Sequence, residues 1–411
     1  MGRASLIAAV AVVAGLLGGA AALAIGAAAG WVGSGETLVV PAGDGVGGSS
    51  GDADVVSGGA GKPLAGNGFD PAAIYRSRAA GVVTIVALFG EHAQNGSGNA
   101  AQGSGFVVSS KGYILTNSHV ITTAGEDPAD TTPDPASTIY VEFRDGDRLP
   151  AEVVGWDIFD DVGLLKVDPG SHALTTVPLG DSTAVQVGQP VAAIGSPFGQ
   201  MSSLSVGVVA ATERSINSLT SGYDLVDAIQ TDAPINRGNS GGPMLDARGR
   251  VIGINAQIRS ESGNAEGVGF AVPINSAKRS MTQLIATGHV RYAWIGISTQ
   301  TVTPSLARHF GFAARRGAAI QSVVPASPAE RAGLQGGRAE TQFEGVPFQP
   351  GGDLIVAIDG QHVETAEDVV RMIAERLLPG QTTRLTILRG SSRLVVPVKL
   401  GERPASPPSS R

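Results

Sequence analysis

Residues 236–243 (Asn-Arg-Gly-Asn-Ser-Gly-Gly-Pro) constrain this chain more than any other stretch of it. Ser240 lies among glycines, which adopt backbone angles that other residues reach only at a cost. Such a loop brings backbone N–H groups close to a reacting carbonyl, as a serine nucleophile requires. Because residues 238–242 also fit the G-x-S-x-G turn of α/β-hydrolases, the loop alone leaves two folds open.

A histidine and an acid elsewhere in the chain separate these two folds. His119 follows a short apolar run at 112–115, which predicts a strand that presents an imidazole at its end. Asp161 precedes the apolar residues 162–165, which predicts a buried carboxylate at the head of a strand. The order is His, Asp, Ser, as in chymotrypsin, whereas α/β-hydrolases have Ser, Asp, His. The residues after Ser240 also indicate a hairpin with a Gly turn, not the helix that the hydrolase turn needs.

These three side chains predict acyl-transfer chemistry. His119 would take the hydroxyl proton of Ser240 as general base and return it to the leaving amine. Asp161 would hold the ring tautomer and stabilise the imidazolium. The backbone N–H groups of Gly238 and Ser240 would form an oxyanion hole, which is worth about 3–4 kcal/mol per donor.

Four motifs in this order resemble the HtrA/Deg family. They lie at 116–120, 161–165, 231–242 and 267–273, and the resemblance extends from about residue 75 to about residue 400. It implies a trypsin-like serine protease joined to a PDZ domain, with a chymotrypsin-like double β-barrel. It also implies a homotrimer that degrades unfolded or damaged proteins outside the cytoplasm.

The resemblance also suggests residues for specificity and regulation. Ile235, Asn255, Gln257 and Ile258 match positions that line the S1 pocket in the family, and none is charged, which implies a small or medium apolar residue before the scissile bond. The alternative for the two isoleucines is ordinary packing in a strand face.

Arg214 lies in a segment that resembles the activation-sensor loop, so a peptide on the PDZ domain, or trimer packing, would reorder that loop. The alternative is an exposed surface arginine.

A second unit is indicated after residue 290. Trp294, Ile295, Gly296 and Ile297 resemble the carboxylate-binding loop of PDZ domains, where an extended peptide adds to a strand edge. The expected partners there are peptides with apolar C-termini. The alternative is that the tryptophan and its neighbour pack at the domain junction. Residues 338–350 interrupt the PDZ pattern and predict an inserted hairpin.

The hydrophobic pattern predicts a mainly β fold. Short apolar runs separated by turn signals lie at 82–88, 105–108, 138–143, 151–154, 163–167, 190–194, 204–210 and 251–256. Many short strands without interleaved helices are typical of barrels. A short helix at 72–80 precedes them, and a closing helix at 274–286 ends before Gly288.

Several acidic residues are expected to be solvated. No apolar strand follows Asp157 or Asp160 directly, so both are interpreted as turn residues. The stretch 122–137 contains Asp127, Asp130 and Asp134 but lacks the glycine and the spacing of a calcium loop. We therefore expect a solvated loop there, and no metal or other cofactor.

The composition and the N-terminal residues limit the class of protein to which this chain can belong. The chain has no cysteine, which excludes disulfides, thiol nucleophiles and Cys-based zinc sites. Its net charge of −7 gives no indication of the basic surface that binds nucleic acid.

Residues 6–32 are uncharged and follow Arg3, which predicts a single-pass membrane anchor with the N-terminus inside. The alternative is a cleavable signal peptide with small residues at 27–29.

The expected organisation has six parts. These are a cytoplasmic stub (1–5), a transmembrane signal-anchor (6–32), a disordered linker (33–69), a protease domain (70–289), a PDZ domain (290–402) and a disordered tail (403–411). The protease and PDZ domains would then lie outside the cytoplasm. Two other functions stay open, namely a non-catalytic chaperone or binding module that holds peptides and an esterase with the same triad.

Overall fold

Two closed β-barrels and a sheet-and-helix unit follow one another along the chain. The computed structural model describes residues 68–90, 99–124, 132–196, 203–218, 220–236, 238–256 and 268–407. Each barrel has six strands, so the mainly β, double-barrel fold expected from the sequence is confirmed.

The first barrel follows helix α1 (Pro71–Arg78) and a 3₁₀ turn (Ala79–Gly81). Asp70 caps α1 by accepting a hydrogen bond from the N–H of Ala73 at 2.9 Å, and a proline opens the helix. The strands, which pair in the order β1-β2-β3-β6-β5-β4, are β1 (Val82–Phe89), β2 (Asn99–Val107), β3 (Tyr113–Thr116), β4 (Thr138–Glu142), β5 (Arg148–Asp157) and β6 (Val162–Lys166). A one-turn helix, α2 (Ser118–Ile121), follows β3.

The second barrel pairs its strands in the order β10-β11-β12-β9-β8-β7. These strands are β7 (Pro190–Gly195), β8 (Ser203–Asn217), β9 (Asp224–Thr231), β10 (Pro243–Leu245), β11 (Val251–Ala256) and β12 (Gly269–Pro273). A 3₁₀ turn (Ser182–Ala184) precedes them, and helix α3 (Ile274–Thr287) follows. As expected, α3 ends at Gly288, which has a φ of 75° and donates its N–H to Leu284.

Strand β8 extends well beyond the predicted run at 204–210. Arg214 therefore lies within a strand, and its expected place in a loop is wrong. The pairing of β8 with β9 is irregular, with register shifts on both sides of Arg214. Glu213 and Asp227, on either side of this irregularity, have φ angles of 56° and 60°. Irregularities of this kind bend a strand pair, so the β8–β9 ribbon bends here while its pairing continues.

The part of the chain after residue 290, where a PDZ domain is expected and which is here named the PDZ unit, contains a sheet ordered β14-β15-β18-β20-β21, with β19 paired to β18. Its strands are β13 (Ala293–Trp294), β14 (Ile297–Val302), β15 (Gly317–Val323), β16 (Thr341–Phe343), β17 (Val346–Phe348), β18 (Leu354–Ile358), β19 (Gln361–His362), β20 (Thr382–Arg389), β21 (Ser392–Lys399) and β22 (Gly401–Glu402). Its helices are α4 (Pro304–Phe310), α5 (Pro328–Arg331) and α6 (Ala366–Arg376). Strands β16 and β17 form the hairpin that was predicted within 338–350.

Helix α6 of the PDZ unit is tied to the second barrel by charge. Arg371 Nε lies 2.9 Å from Asp227 Oδ2, and its Nη2 lies 3.5 Å from Glu213 Oε2. Arg371 is about a quarter exposed, and both of these acids lie on the bent β8–β9 ribbon. The ribbon and the PDZ helix are thus joined at one arginine.

No helix in the described ranges is long and apolar enough to cross a membrane. The predicted anchor at 6–32, and most of the predicted linker at 33–69, lie outside those ranges. Asp127 and Asp130 also lie outside them, and Asp134 is exposed.

The expectation that Asp157 and Asp160 are solvated is wrong. Asp157 is 2% exposed and Asp160 is 7% exposed. The hydroxyl of Tyr292 lies 2.6 Å from Asp157 Oδ2 and 2.8 Å from Asp160 Oδ2. Ser280 donates to Asp157 at 2.6 Å, and Arg279 pairs with Asp160 at 2.6 Å. Helix α3 and the segment that leads into the PDZ unit cover these acids, a long-range contact that the local sequence does not predict.

Burial and the neighbouring carboxylate of Asp160 raise the pKa of Asp157 to about 6. The folded state therefore holds this proton more tightly than the unfolded state does. The resulting stability is fully present below the ordinary pKa of 3.8 and is lost as the pH rises through about 6. The network is thus least favourable when Asp157 is ionised.

We expect Asp157→Asn to remove this loss of stability. The free energy of unfolding of the variant, relative to wild type, should rise by about 1.4 kcal/mol between pH 5 and 7.5. Urea unfolding at several pH values measures this difference. Asp147→Asn, the same change at an exposed acid, is the control. A difference between Asp157→Asn and wild type that does not change with pH would contradict the assignment.

Candidate active site

The catalytic acid and base predicted from the sequence are in contact. His119 Nδ1 lies 2.8 Å from Asp161 Oδ2. Asp161 Oδ1 accepts hydrogen bonds from the Ser118 hydroxyl at 2.8 Å and from the His119 N–H at 3.1 Å. The side chain of Asn117 donates to the backbone carbonyl of Asp161 at 2.8 Å. The carboxylate is therefore fixed on both oxygens and its backbone is also held.

Strand pairing explains why these residues meet. Strands β3 and β6 are antiparallel neighbours, with Thr116 opposite Gly163. The end of β3 therefore lies beside the start of β6, so α2 presents His119 next to Asp161. Asp161 has a φ of 50°, a region that few non-glycine residues occupy, and it turns the chain into β6.

The serine loop belongs to the second barrel but is bonded to the first. Ser104 of β2 donates its N–H to the carbonyl of Ser240 at 2.8 Å and its hydroxyl to the carbonyl of Gly238 at 2.5 Å. Gly241, with a φ of 84°, donates its N–H to Asn255 at 2.9 Å. A Cβ atom on Gly241 would lie 2.1 Å from the carbonyl oxygen of Ser104, so only glycine fits there.

Two backbone N–H groups of the serine loop have no hydrogen-bond acceptor among the described residues. No carbonyl within the described ranges accepts the N–H of Gly238 or of Ser240. The hydroxyl of Ser240 is buried and makes no hydrogen bond to a described residue. Catalytic hydrogen bonds often tighten only when substrate is present.

Opposing effects set the pKa of His119. Burial lowers it, while the charge of Asp161 and the hydrogen bond to Asp161 raise it, and the net pKa lies above the ordinary 6.5. The imidazole is therefore a stronger base than free histidine. It is neutral, and able to accept the serine proton, only above this raised pKa.

The residues suggested for the S1 pocket and for regulation have different surroundings. Ile235 is 8% exposed and packs against the start of β12, where a Cβ on Gly269 would lie 2.6 Å from its side chain. Asn255 is fully buried in β11 and donates to the carbonyl of Pro243 at 3.3 Å. Arg214 is exposed and donates to the side chain of Gln230 at 3.0 Å. Gln257 and Ile258 lie outside the described residues.

The predicted carboxylate-binding loop of the PDZ unit lines an open cavity of about 420 Å³ between β14 and α6. Trp294, Ile295, Gly296 and Ile297 form one wall, and apolar side chains of α6 such as Val370 form another. Strand β14 lies at the edge of its sheet, so one of its sides is open to an added strand.

Sequence reasoning missed the residues that support the triad. Ser104, Asn117 and Ser118 are all fully buried and bond directly to the acid or to the serine loop. The motif at 116–120 contains two of them, but Ser104 has no local signal. Its role arises only because β2 passes beside the loop of the other barrel.

Comparison with known proteins places this architecture in a family. Residues 103–254 match the trypsin-like peptidase domain and residues 293–400 match the PDZ domain. The HtrA-type protease AlgW with tripeptide, a solved structure, is 32% identical with a TM-score of 0.66 and covers 82% of this chain and 98% of its own. The chain belongs to the HtrA family of trypsin-like serine proteases.

Two curated relatives are longer than this chain. The "Probable periplasmic serine endoprotease DegP-like" of Halomonas elongata is 40% identical over 271 residues, or 66% of this chain and 52% of the relative. The protein of the same name from Hahella chejuensis is 37% identical over 270 residues, or 66% of this chain and 53% of the relative. The chain thus spans about half the length of these relatives.

We expect the acid limb of the pH profile of kcat/KM to lie above pH 6.5, because protonated His119 cannot accept the serine proton. Replacing Asp161 with Asn should lower kcat by about 10⁴-fold, since the ring loses its orienting carboxylate. Initial rates between pH 5 and 9 measure both effects, and circular dichroism controls for folding. An acid limb below 6.5 would contradict the raised pKa.

We expect Ser104→Ala to lower kcat about tenfold with little change in KM, because the serine loop loses a tether to the first barrel. The carbonyl of Gly238 and the N–H of Ser196 both lose a hydrogen bond to the Ser104 hydroxyl and keep only the 3.4 Å bond between them, which costs about 1–3 kcal/mol of stability in total. Steady-state kinetics and thermal unfolding measure these effects. Ser110→Ala, the same change at an exposed site near the end of β2, should change neither.

Proposed function

We propose that this protein is an extracytoplasmic serine endopeptidase that cleaves unfolded or damaged polypeptides in protein quality control. The observation that carries the proposal is the bond between His119 and Asp161 close to the glycine-rich loop of Ser240, where a Cβ on Gly241 would lie 3.2 Å from the backbone nitrogen of Asn117. Family membership and the names of the curated relatives support the same activity.

The mechanism follows from the residues present. His119 removes the proton of Ser240, whose oxygen attacks the peptide carbonyl, and then gives that proton to the leaving amine. Asp161 stabilises the imidazolium formed between these steps. The N–H groups of Gly238 and Ser240 bind the oxyanion, and water then hydrolyses the acyl-enzyme by the same base.

Three parts of the proposal concern location and assembly. The uncharged segment 6–32, preceded by Arg3, anchors the protein in the cell membrane with its N-terminus inside. The protease and PDZ domains lie outside the cytoplasm, as the periplasmic relatives suggest. The assembly is a homotrimer, by analogy with the family. The mass of the protein from the membrane fraction tests whether the segment is retained.

The PDZ groove binds peptides with apolar C-termini. Its apolar lining at Ile297 and Val370, together with the open edge of β14, supports this choice.

The S1 pocket, with Ile235 at its wall, takes small or medium apolar residues. Arg214 transmits activation from the PDZ domain or the trimer, and equal stimulation of wild type and Arg214→Ala by a peptide would exclude that role.

We expect wild-type protein from residue 70 onward to degrade casein, while Ser240→Ala leaves it intact because the nucleophile is gone. Gel analysis over time measures the loss of substrate, and mass spectrometry of the fragments gives the residue before each cut. If neither protein cleaves, even with an apolar C-terminal peptide added, the binding-module function replaces the protease. Cleavage of small esters but not of casein would favour an esterase.

A further inference from the structure

The segment that follows the PDZ sheet is ordered against the protease domain. Residues 401–407, here named the strap, begin with β22, which pairs with β13. Arg403 then donates its N–H to the carbonyl of Tyr292 at 2.9 Å. Residues 403–407 were expected to be part of a disordered tail at 403–411, and they are instead placed by contacts with both domains.

Three aromatic rings surround the guanidinium of Arg403. Its Cζ lies 5.2 Å from the ring centroid of Phe159, 5.1 Å from that of Tyr223 and 5.0 Å from that of Tyr292. The rings meet edge to face, with Phe159 5.6 Å from Tyr223 and 5.0 Å from Tyr292. A cation over aromatic faces is attracted by the ring quadrupoles, and the attraction grows as water is removed.

The three rings come from different parts of the chain. Phe159 lies in the loop between β5 and β6, Tyr223 lies between β8 and β9, and Tyr292 precedes β13. Arg403 therefore joins the first barrel, the second barrel and the approach to the PDZ unit at one point. Loss of the cation would release all three contacts together.

A hydroxyl group adds a second attachment. The hydroxyl of Tyr223 lies 3.1 Å from the carbonyl oxygen of Pro404 and 3.1 Å from that of Ser406. It donates to these strap carbonyls, and the ring of the same tyrosine contacts Arg403. The strap is thus fixed by a cation and by a hydrogen bond at one residue of the protease domain.

The loop that receives Arg403 is the one that carries the catalytic acid. Phe159 lies two residues before Asp161, and its N–H is bonded to Asp157 at 2.9 Å. Asp161 has a φ of 50°. A residue in such a region keeps its conformation only when its surroundings hold it there. The strap supplies part of that support from outside the barrel.

We infer that Arg403 is a positioning residue for the catalytic acid: by holding Phe159 in the three-ring cage, it fixes the loop that orients Asp161 toward His119. The inference rests on the proposed function, because it gives the 401–407 strap a part in the triad's chemistry. Arg403 does not touch the reacting atoms and acts only through the loop.

The test compares Arg403→Met with Arg403→Lys in the full chain. Methionine is apolar and has no charge, whereas lysine keeps a cation that also binds aromatic faces. Arg393→Met, at an exposed position of β21, is the matched control for loss of one positive charge. Tyr223→Phe keeps the ring of the cage but removes its bonds to the strap.

Arg403→Met should lower kcat about three- to tenfold and leave KM within about twofold, since only the geometry of the triad changes. Arg403→Lys should retain most of the activity, Tyr223→Phe should lose less than the methionine variant, and Arg393→Met should match wild type. Wild-type kcat in Arg403→Met, even with a lower melting temperature, would show a merely structural strap and overturn the inference. Equal loss in the lysine variant would also overturn it.

A readout that needs no proteolysis separates this inference from the proposed function. Nuclear magnetic resonance of ¹³C-labelled histidine, with His119 assigned by His119→Gln, follows the titration of that ring. A loosened Asp161 stabilises the imidazolium less, so the pKa of His119 should fall by about half a unit in Arg403→Met and stay unchanged in Arg403→Lys. An unchanged titration in Arg403→Met would overturn the inference, whether or not wild type cleaves casein.

Discussion

The structure around the active site depends on the bond between Asp161 and His119. It requires two residues 42 positions apart to lie 2.8 Å from each other, so it fixes the pairing of β3 with β6. It also requires the carboxylate to stay in place while the backbone turns at a φ of 50°. Donors from Asn117 and Ser118 meet both requirements. The charge and hydrogen bond that raise the pKa of the imidazole are consequences of the same contact.

Ser240, the proposed nucleophile, precedes β10 of the other barrel, so the proposed triad lies where the barrels meet. Ser104 bonds the serine loop to β2, and the hydroxyl of Thr84 in β1 donates to Ser196, at the end of β7, at 2.7 Å. These buried hydroxyls hold the seam in one arrangement, because a slip between the barrels would leave polar groups without partners. A site at such a seam gains geometric precision from two rigid sheets.

Besides the strap, two contacts between the PDZ unit and the protease domain differ in their chemistry. Arg371 of α6 pairs with carboxylates on the bent β8–β9 ribbon. Tyr292, which leads into the PDZ unit, is bonded to Asp157 and Asp160 beside the catalytic acid. The position of the PDZ unit is therefore linked through direct contacts to the acid loop and to the ribbon that carries Arg214. Both links are made by charged or polar groups with defined partners, so each holds one specific orientation.

Local sequence determined the parts of this protein that depend on neighbours in the chain. The serine loop and its hairpin, the strands around His119 and Asp161, and the helix that ends at Gly288 follow from motif, period and turn chemistry. Only the tertiary structure decided the surroundings of Asp157, the position of Arg214 within a strand, and the contacts that hold residues 403–407 in place. In each case the deciding contact comes from another element of the fold. Helix α3 covers Asp157, strand β9 pairs with the strand of Arg214, and Tyr223 bonds to residues 404 and 406. A carboxylate, an arginine or a Pro/Ser segment gives no local sign of what will later cover it.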